Sequence, residues 1–159
     1  MQILSQMMKC QDVRELADLC DRFLPFLESG SVAFALYRFA KLQNGRKDFP
    51  RATFSSVLAR AVSDIDNDYF NSKCLANTSW ALATLLWNDK PALSSLSLRA
   101  CDRLASFRPQ EISNTVWAFG ALDHFERQLF EAVASNRLAQ SREYSPQHLA
   151  NIAWSFAIS

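Results

Sequence analysis

Residues 111–123 read EISNTVWAFGALD. Two other stretches align with them without a gap, CLANTSWALATLL from Cys74 and HLANIAWSFAIS from His148. Trp80, Trp117 and Trp154 fall 37 residues apart, and so do Asn77, Asn114 and Asn151. The same interval links Leu75, Ile112 and Leu149, and also Leu82, Phe119 and Phe156. Small residues recur at Ala76, Ser113 and Ala150, and again at Ala83, Gly120 and Ala157. Ten residues ahead of each Trp stands an aromatic: Phe70, Phe107 and Tyr144. Self-similarity at a fixed spacing of this length marks a chain built from stacked supersecondary units. SVAFALYRFAKL from Ser31 is a degenerate fourth copy, with Tyr37 in the Trp column and Phe34 in the Asn column. Its distance to the next copy is 43 residues, and the loop NGRKDFP holds the extra ones.

Each copy reads as two helices. Pro109 and Pro146 stand at the first turn of the Trp-bearing helix, where a missing N–H costs nothing, and Ser145 is a plausible N-cap. The preceding segments RATFSSVLARAV, PALSSLSLRACDRL and FERQLFEAVASNRL carry apolar residues three and four apart. DVRELADLCDRFLPFLE is the first of this kind, kinked or ended by Pro25. The pairs span about 12–43, 51–87, 91–122 and 125–157, with a short leading helix at about 2–9. A single pair cannot bury both of its apolar faces, so stacking of neighbours must complete the core. The expected fold is all-α, one right-handed α-solenoid domain of tandem helix-turn-helix repeats. The Trp-bearing helices are apolar or small nearly all round, which demands burial on several sides. Their two small columns fall together on the wheel, where a neighbour can approach closely. The Trp columns read as core. The last copy stops inside its second helix, at Ser159, as expected of a fragment of a longer repeat protein.

Composition agrees. Only 3 glycines and 5 prolines stand among 159 residues, too few for the tight turns of a sandwich or barrel. An apolar content of 49% with a net charge of +1 excludes intrinsic disorder. That charge makes no general case for a polyanionic partner. The one basic stretch, Arg38, Lys41, Arg46, Lys47, Arg51 and Arg60 against a lone Asp48, reads as a solvated loop. No apolar run approaches the roughly 20 residues of a membrane span. Cys10, Cys20, Cys74 and Cys101 are spaced unlike a metal or redox motif and read as reduced, mostly buried thiols.

One strip of each Trp-bearing helix is polar. Lys73 with Asn77, Gln110 with Asn114 and Gln147 with Asn151 are i, i+4 pairs, one above the other on the surface. Stacked once per repeat, they form a ladder. Beside it runs a variable column, Cys74, Glu111 and His148. Two readings fit. The Asn amides can hydrogen-bond to the adjacent repeat and fix the stacking register. Alternatively, amides at a regular step meet successive units of a linear polymer such as single-stranded RNA, which helical repeats are able to read one base at a time.

Catalytic signatures are missing. The chain lacks phosphate-binding glycine loops, a nucleophile elbow and a metalloprotease helix motif. Asp64, Asp66 and Asp68 alternate like the start of a calcium loop, but the required sixth and twelfth positions are Tyr69 and Leu75. The trio reads as a solvated loop. His124 and His148 have no ligand set around them. No enzymatic activity, metal or cofactor is expected.

The pattern P-Q-x-L/I-x-N-x-x-W-A/S-F-A/G resembles the octotricopeptide repeat, related to the repeats of FAST-kinase-like organellar proteins that often end in a RAP domain. Residues 109–122 and 146–157 match best, 73–86 lacks the Pro-Gln start, and 32–42 is weak. The resemblance implies a protein of mitochondria or chloroplasts that binds specific RNA and supports its processing, stability or translation. No RAP-like segment and no transit peptide are visible in this chain. The expected partner is therefore a single-stranded organellar transcript. Asn77, Asn114 and Asn151 would contact bases, with Cys74, Glu111 and His148 as selectors. Lys73, Arg108 and Arg142 would contact phosphate, the two arginines lying near helix N-termini that favour anions. The competing expectation is a protein-interaction scaffold of the same architecture.

Overall fold

The computed structural model describes residues 2–43, 48–135 and 143–158. Among these residues the secondary structure is entirely helical. The elements are α1 (Gln2–Lys9), α2 (Val13–Phe23), α3 (Ser29–Leu42), α4 (Arg51–Ser63), α5 (Ser72–Thr84), α6 (Lys90–Arg103), α7 (Pro109–Ala121), α8 (Arg127–Ser135) and α9 (Pro146–Ala157). No helix is long and apolar enough to cross a membrane.

Local chemistry starts the helices. Asp12 Oδ1 accepts from the N–H groups of Arg14 and Glu15 at 2.9 and 3.0 Å. Asn71 Oδ1 accepts from Cys74 N–H at 3.2 Å, and Asp89 Oδ1 from Ala92 N–H at 3.0 Å. Ser145 Oγ accepts from His148 N–H at 3.3 Å. Each bond satisfies a donor that the first turn leaves without a partner. Pro25 ends α2, and the chain continues through a 3₁₀ turn, Leu24–Phe26.

The ends of α5 and α7 share a geometry that glycine usually provides. Leu86 and Asp123 both have φ 51°. Trp87 N–H donates to Leu82 C=O at 2.8 Å and Leu86 N–H to Ala83 C=O at 3.0 Å. His124 and Asp123 repeat this on Phe119 and Gly120, both at 3.0 Å. These are Schellman motifs with a left-handed residue just past the helix end, a conformation that crowds any Cβ.

The helices pack in two layers. In one, α3 lies against α5, α5 against α7 and α7 against α9, with α1 on the near side of α3. In the other, α2 packs on α4, α4 on α6 and α6 on α8. Phe39, Leu75, Leu82, Ile112 and Phe119 from the first layer and Leu16, Phe54, Leu93 and Leu96 from the second are fully buried between them. Gly120 marks the closest approach of α7 to α9: a Cβ there would lie 3.2 Å from Ile158 Cδ1 and 3.4 Å from the Ser155 backbone.

Two expectations need correction. The Trp column is only partly core, with Trp80 and Trp117 packed against it. Trp80 and Trp117 are half-buried and Trp154 is 45% exposed, while the core positions one turn away hold Leu and Phe. The wheel could not separate them, because apolar residues surround these helices. The basic stretch is not a solvated loop either. Arg60 donates to the C=O groups of Leu24 and Leu27 at 3.1 and 2.9 Å, and Arg38 donates to Cys10 C=O at 2.7 Å. Arg51 lies 4.3 Å over the Trp87 ring. Arg46 and Lys47 lie outside the described residues. The acidic trio does lie on a solvated turn, Asp66 and Asp68 being exposed, with Asp64 bonded to Arg60 at 3.0 Å and Asp68 to Arg103 at 2.9 Å. Arg103 also donates to Phe70 C=O at 3.0 Å, so it repeats on the next loop what Arg60 does on Leu27.

The outer flank of α9 differs from those of α5 and α7. Leu149 is 47% exposed where Leu75 and Ile112 are buried, and Phe156 is 37% exposed where Leu82 and Phe119 are buried. Among the described residues no helix lies over this flank.

Two stability measurements follow. Leu86→Gly is expected to raise unfolding free energy by about 0.5–1 kcal/mol, since relief of the left-handed strain outweighs the added chain entropy. A lower urea midpoint for the variant would contradict it. Phe119→Ala is expected to cost about 3–5 kcal/mol, as removal of a fully buried ring. A loss under about 1 kcal/mol in a urea titration would contradict that burial.

Candidate functional site

Three helices of one layer open a groove on their outer side. It has a volume of about 380 Å³, and α3 supplies one wall through Phe34 and Tyr37. Lys73 and Asn77 enter from α5, while Gln110, Glu111 and Asn114 enter from α7, with Arg108 at the α7 N-cap. A second groove of about 370 Å³ continues toward α1, past Leu4 and Met8, and shares Phe34, Lys73 and Asn77 with the first. Residues read from the polar ladder are therefore brought together across two neighbouring helices.

The helical step explains the convergence. Residues four apart lie on one face, so Lys73 stands above Asn77 and Gln110 above Asn114. Parallel packing of α7 on α5 sets the pairs side by side. Asn77 and Asn114 are half-buried. Among the described residues, no side-chain hydrogen bond holds either amide to a neighbouring helix, and both line the groove. Their donors and acceptors are open to whatever enters it.

The third rung differs. On α9, Gln147 Nε2 donates to Asn151 Oδ1 at 2.9 Å on an exposed surface, so this pair is satisfied internally. Arg142 lies outside the described residues.

The variable column occupies the third position of each helix, where side chains can reach back to the N-cap. Glu111 Oε2 accepts from Arg108 N–H at 2.9 Å. His148 Nδ1 accepts from Ser145 N–H at 3.2 Å, and its ring stands edge-on to Tyr144, with centroids 6.3 Å apart. Cys74 is buried, and burial pushes its thiol pKa up, so it is a neutral group at pH 7. Each of these side chains thus has a capping or packing contact of its own. Glu111 also supplies the negative charge that the α7 N-terminus attracts. Any attraction of Arg108 for an anion therefore rests on its guanidinium.

Phe34 and Tyr37 are the site residues that sequence reading left out. The signal was present, since both stand in the Asn and Trp columns of the degenerate copy. Lys41 belongs with them, its Nζ 5.7 Å from the Tyr37 ring and 5.1 Å from the Trp80 ring. Among the described residues no group of His, Cys, Asp and Glu could hold a metal ion. Compared with family models, with curated proteins and with solved structures, the chain matches none of them.

The groove offers open amides, two cations and aromatic edges, with its one lining carboxylate engaged at a helix cap.

Proposed function

We propose that the chain is a right-handed α-solenoid of two-helix repeats, about 37 residues each, that binds single-stranded RNA along the outer side of its Trp-bearing helices. The observation that carries this reading is the pair of unengaged amides, Asn77 and Asn114, flanked by Lys73 and Arg108 in one groove. An amide presents two donors and one acceptor to a base edge. Lys and Arg supply the phosphate contacts that position a strand without specifying it. The in-register packing of α3, α5, α7 and α9 gives a regular step along which successive nucleotides meet equivalent side chains. The resemblance of the motif to the octotricopeptide repeat points the same way. The resemblance implies a protein of a mitochondrion or chloroplast that acts on transcript processing, stability or translation. With base contact assigned to the open amides, Glu111 and His148 act on selectivity through the helix ends they hold.

A second reading, a protein-interaction scaffold, draws on a different observation. On α9, Leu149 and Phe156 are exposed where their counterparts on α5 and α7 are buried, an apolar surface suited to another helix.

The test is equilibrium binding of the chain to a random single-stranded RNA pool, followed by selection. RNA binding is expected to weaken with salt, with a logarithmic slope of about −0.7 for each phosphate engaged. Lys73→Ala is expected to lower the magnitude of that slope by about 0.7. Asn114→Ala is expected to lose about 1–3 kcal/mol of discrimination at one base while leaving the slope unchanged. A pool that yields no enriched sequence and no salt-dependent binding would overturn the RNA reading.

A further inference from the structure

The geometry points to a stacking function for the aromatic column: Tyr37, Trp80, Trp117 and Trp154 form a ladder on which RNA bases rest. This inference depends on the RNA reading above and assigns to the same surface a second row of contacts.

The Trp column lies on the side that binds. Along α5, Lys73, Asn77 and Trp80 are spaced by four and three residues, so they follow one another down a single face. Gln110, Asn114 and Trp117 repeat the order on α7, as do Gln147, Asn151 and Trp154 on α9. Tyr37 itself lines the groove that holds Asn77 and Asn114. Its ring centroid is 5.3 Å from that of Trp80, at an interplanar angle of 42°, so the aromatic surface runs without a break from α3 to α5. Phe34 extends it on the other side, 6.2 Å from Tyr37.

Core packing accounts for only part of each ring: Trp80 and Trp117 rest against the core yet stay half-buried. The inner side of each helix is filled by Leu75 and Leu82 on α5 and by Ile112 and Phe119 on α7, all buried. The rest of each ring lies where solvent reaches it, most fully at Trp154, which is 45% exposed. Aromatic faces of this kind stack bases of any identity, which suits a chain that reads base edges with a separate row of amides. Charge supports a polyanion as the occupant. Lys41 lies over both Tyr37 and Trp80, Lys73 and Arg108 line the groove, and the acid among them, Glu111, is held at its helix cap. On each helix a strand would then meet a polar or cationic side chain, an amide and a ring, in that order.

The experiment compares wild type with Trp80→Leu and Trp117→Leu, and with the ring-preserving Trp80→Phe and Trp117→Phe. The probes are a single-stranded RNA taken from the selected pool and an abasic ribose-phosphate oligomer of equal length. Each Leu variant is expected to bind the RNA roughly tenfold more weakly, the Phe variants within about threefold of wild type. The salt slope should be unchanged in all of them, because no phosphate contact is removed. RNA, but not the abasic oligomer, should quench wild-type tryptophan emission. Trp87 packs on Phe54 at 4.8 Å beneath Arg51 and provides a constant background. Circular dichroism checks that each variant is folded. If a Leu variant does not fold, the Phe variants and the abasic comparison still decide. Leu variants that bind RNA as wild type does, or equal affinity for RNA and abasic oligomer, would overturn stacking while leaving RNA binding intact. Failure of wild type to bind any RNA overturns both.

Discussion

The structure depends on how closely α3, α5, α7 and α9 can approach one another. Their flanks carry small side chains: Ala76, Ala81 and Ala83 on α5, and Ser113, Ala118 and Gly120 on α7. The tightest point is measurable, since a Cβ on Gly120 would sit 3.2 Å from Ile158 Cδ1. With two flanks committed to small residues, only two sides of each helix can hold large ones. The inner side takes Leu and Phe and seals the core against α4, α6 and α8. The outer side receives what remains, which is Lys or Gln, Asn and Trp. Close packing between neighbours thus forces the chemistry onto one surface, and the groove is its consequence.

That constraint also decides what could be read in advance. Helix positions follow from apolar spacing, and the small flanks from two columns that fall together on the wheel. The Lys73, Asn77, Gln110 and Asn114 cluster was legible for the same reason, because a fixed period repeats a fixed face. The half-burial of Trp80 and Trp117 was not. A helix that is apolar or small over most of its circumference gives no moment by which to orient its largest side chain. Only the packed neighbours show which apolar side is outermost. The left-handed residues Leu86 and Asp123 were invisible too, since the usual glycine is absent at both. Arg60 and Arg103 escaped because their carbonyl partners, Leu27 and Phe70, are 33 residues away.

The column of Cys74, Glu111 and His148 was legible in another way. Each is the third residue of its helix, and two of them sit three residues after the N-cap they bond to. A side chain in that position is drawn back toward the helix start by the free N–H of the N-cap. Its variability among copies reflects different solutions to one local requirement. Asn71 caps α5 from its own side chain, whereas Arg108 has no acceptor there and relies on Glu111.

This difference in capping bears on the charge around the groove. A helix N-terminus carries the equivalent of about half a positive charge. At α7 the Glu111 carboxylate lies against that end and offsets it. The first turn of α5 holds no acid, and Cys74 at the matching position is a buried thiol whose pKa burial raises. Acids reach that end from other elements: Glu28 lines the same groove as Asn71, Lys73 and Cys74, and the Glu111 charge is felt at Cys74. On α7 the positive character comes from the Arg108 side chain alone, which is exposed. Under the RNA reading proposed above, a polyanion lying across both helices would find its cations in Lys73 and Arg108, with the open amides of Asn77 and Asn114 in the same groove.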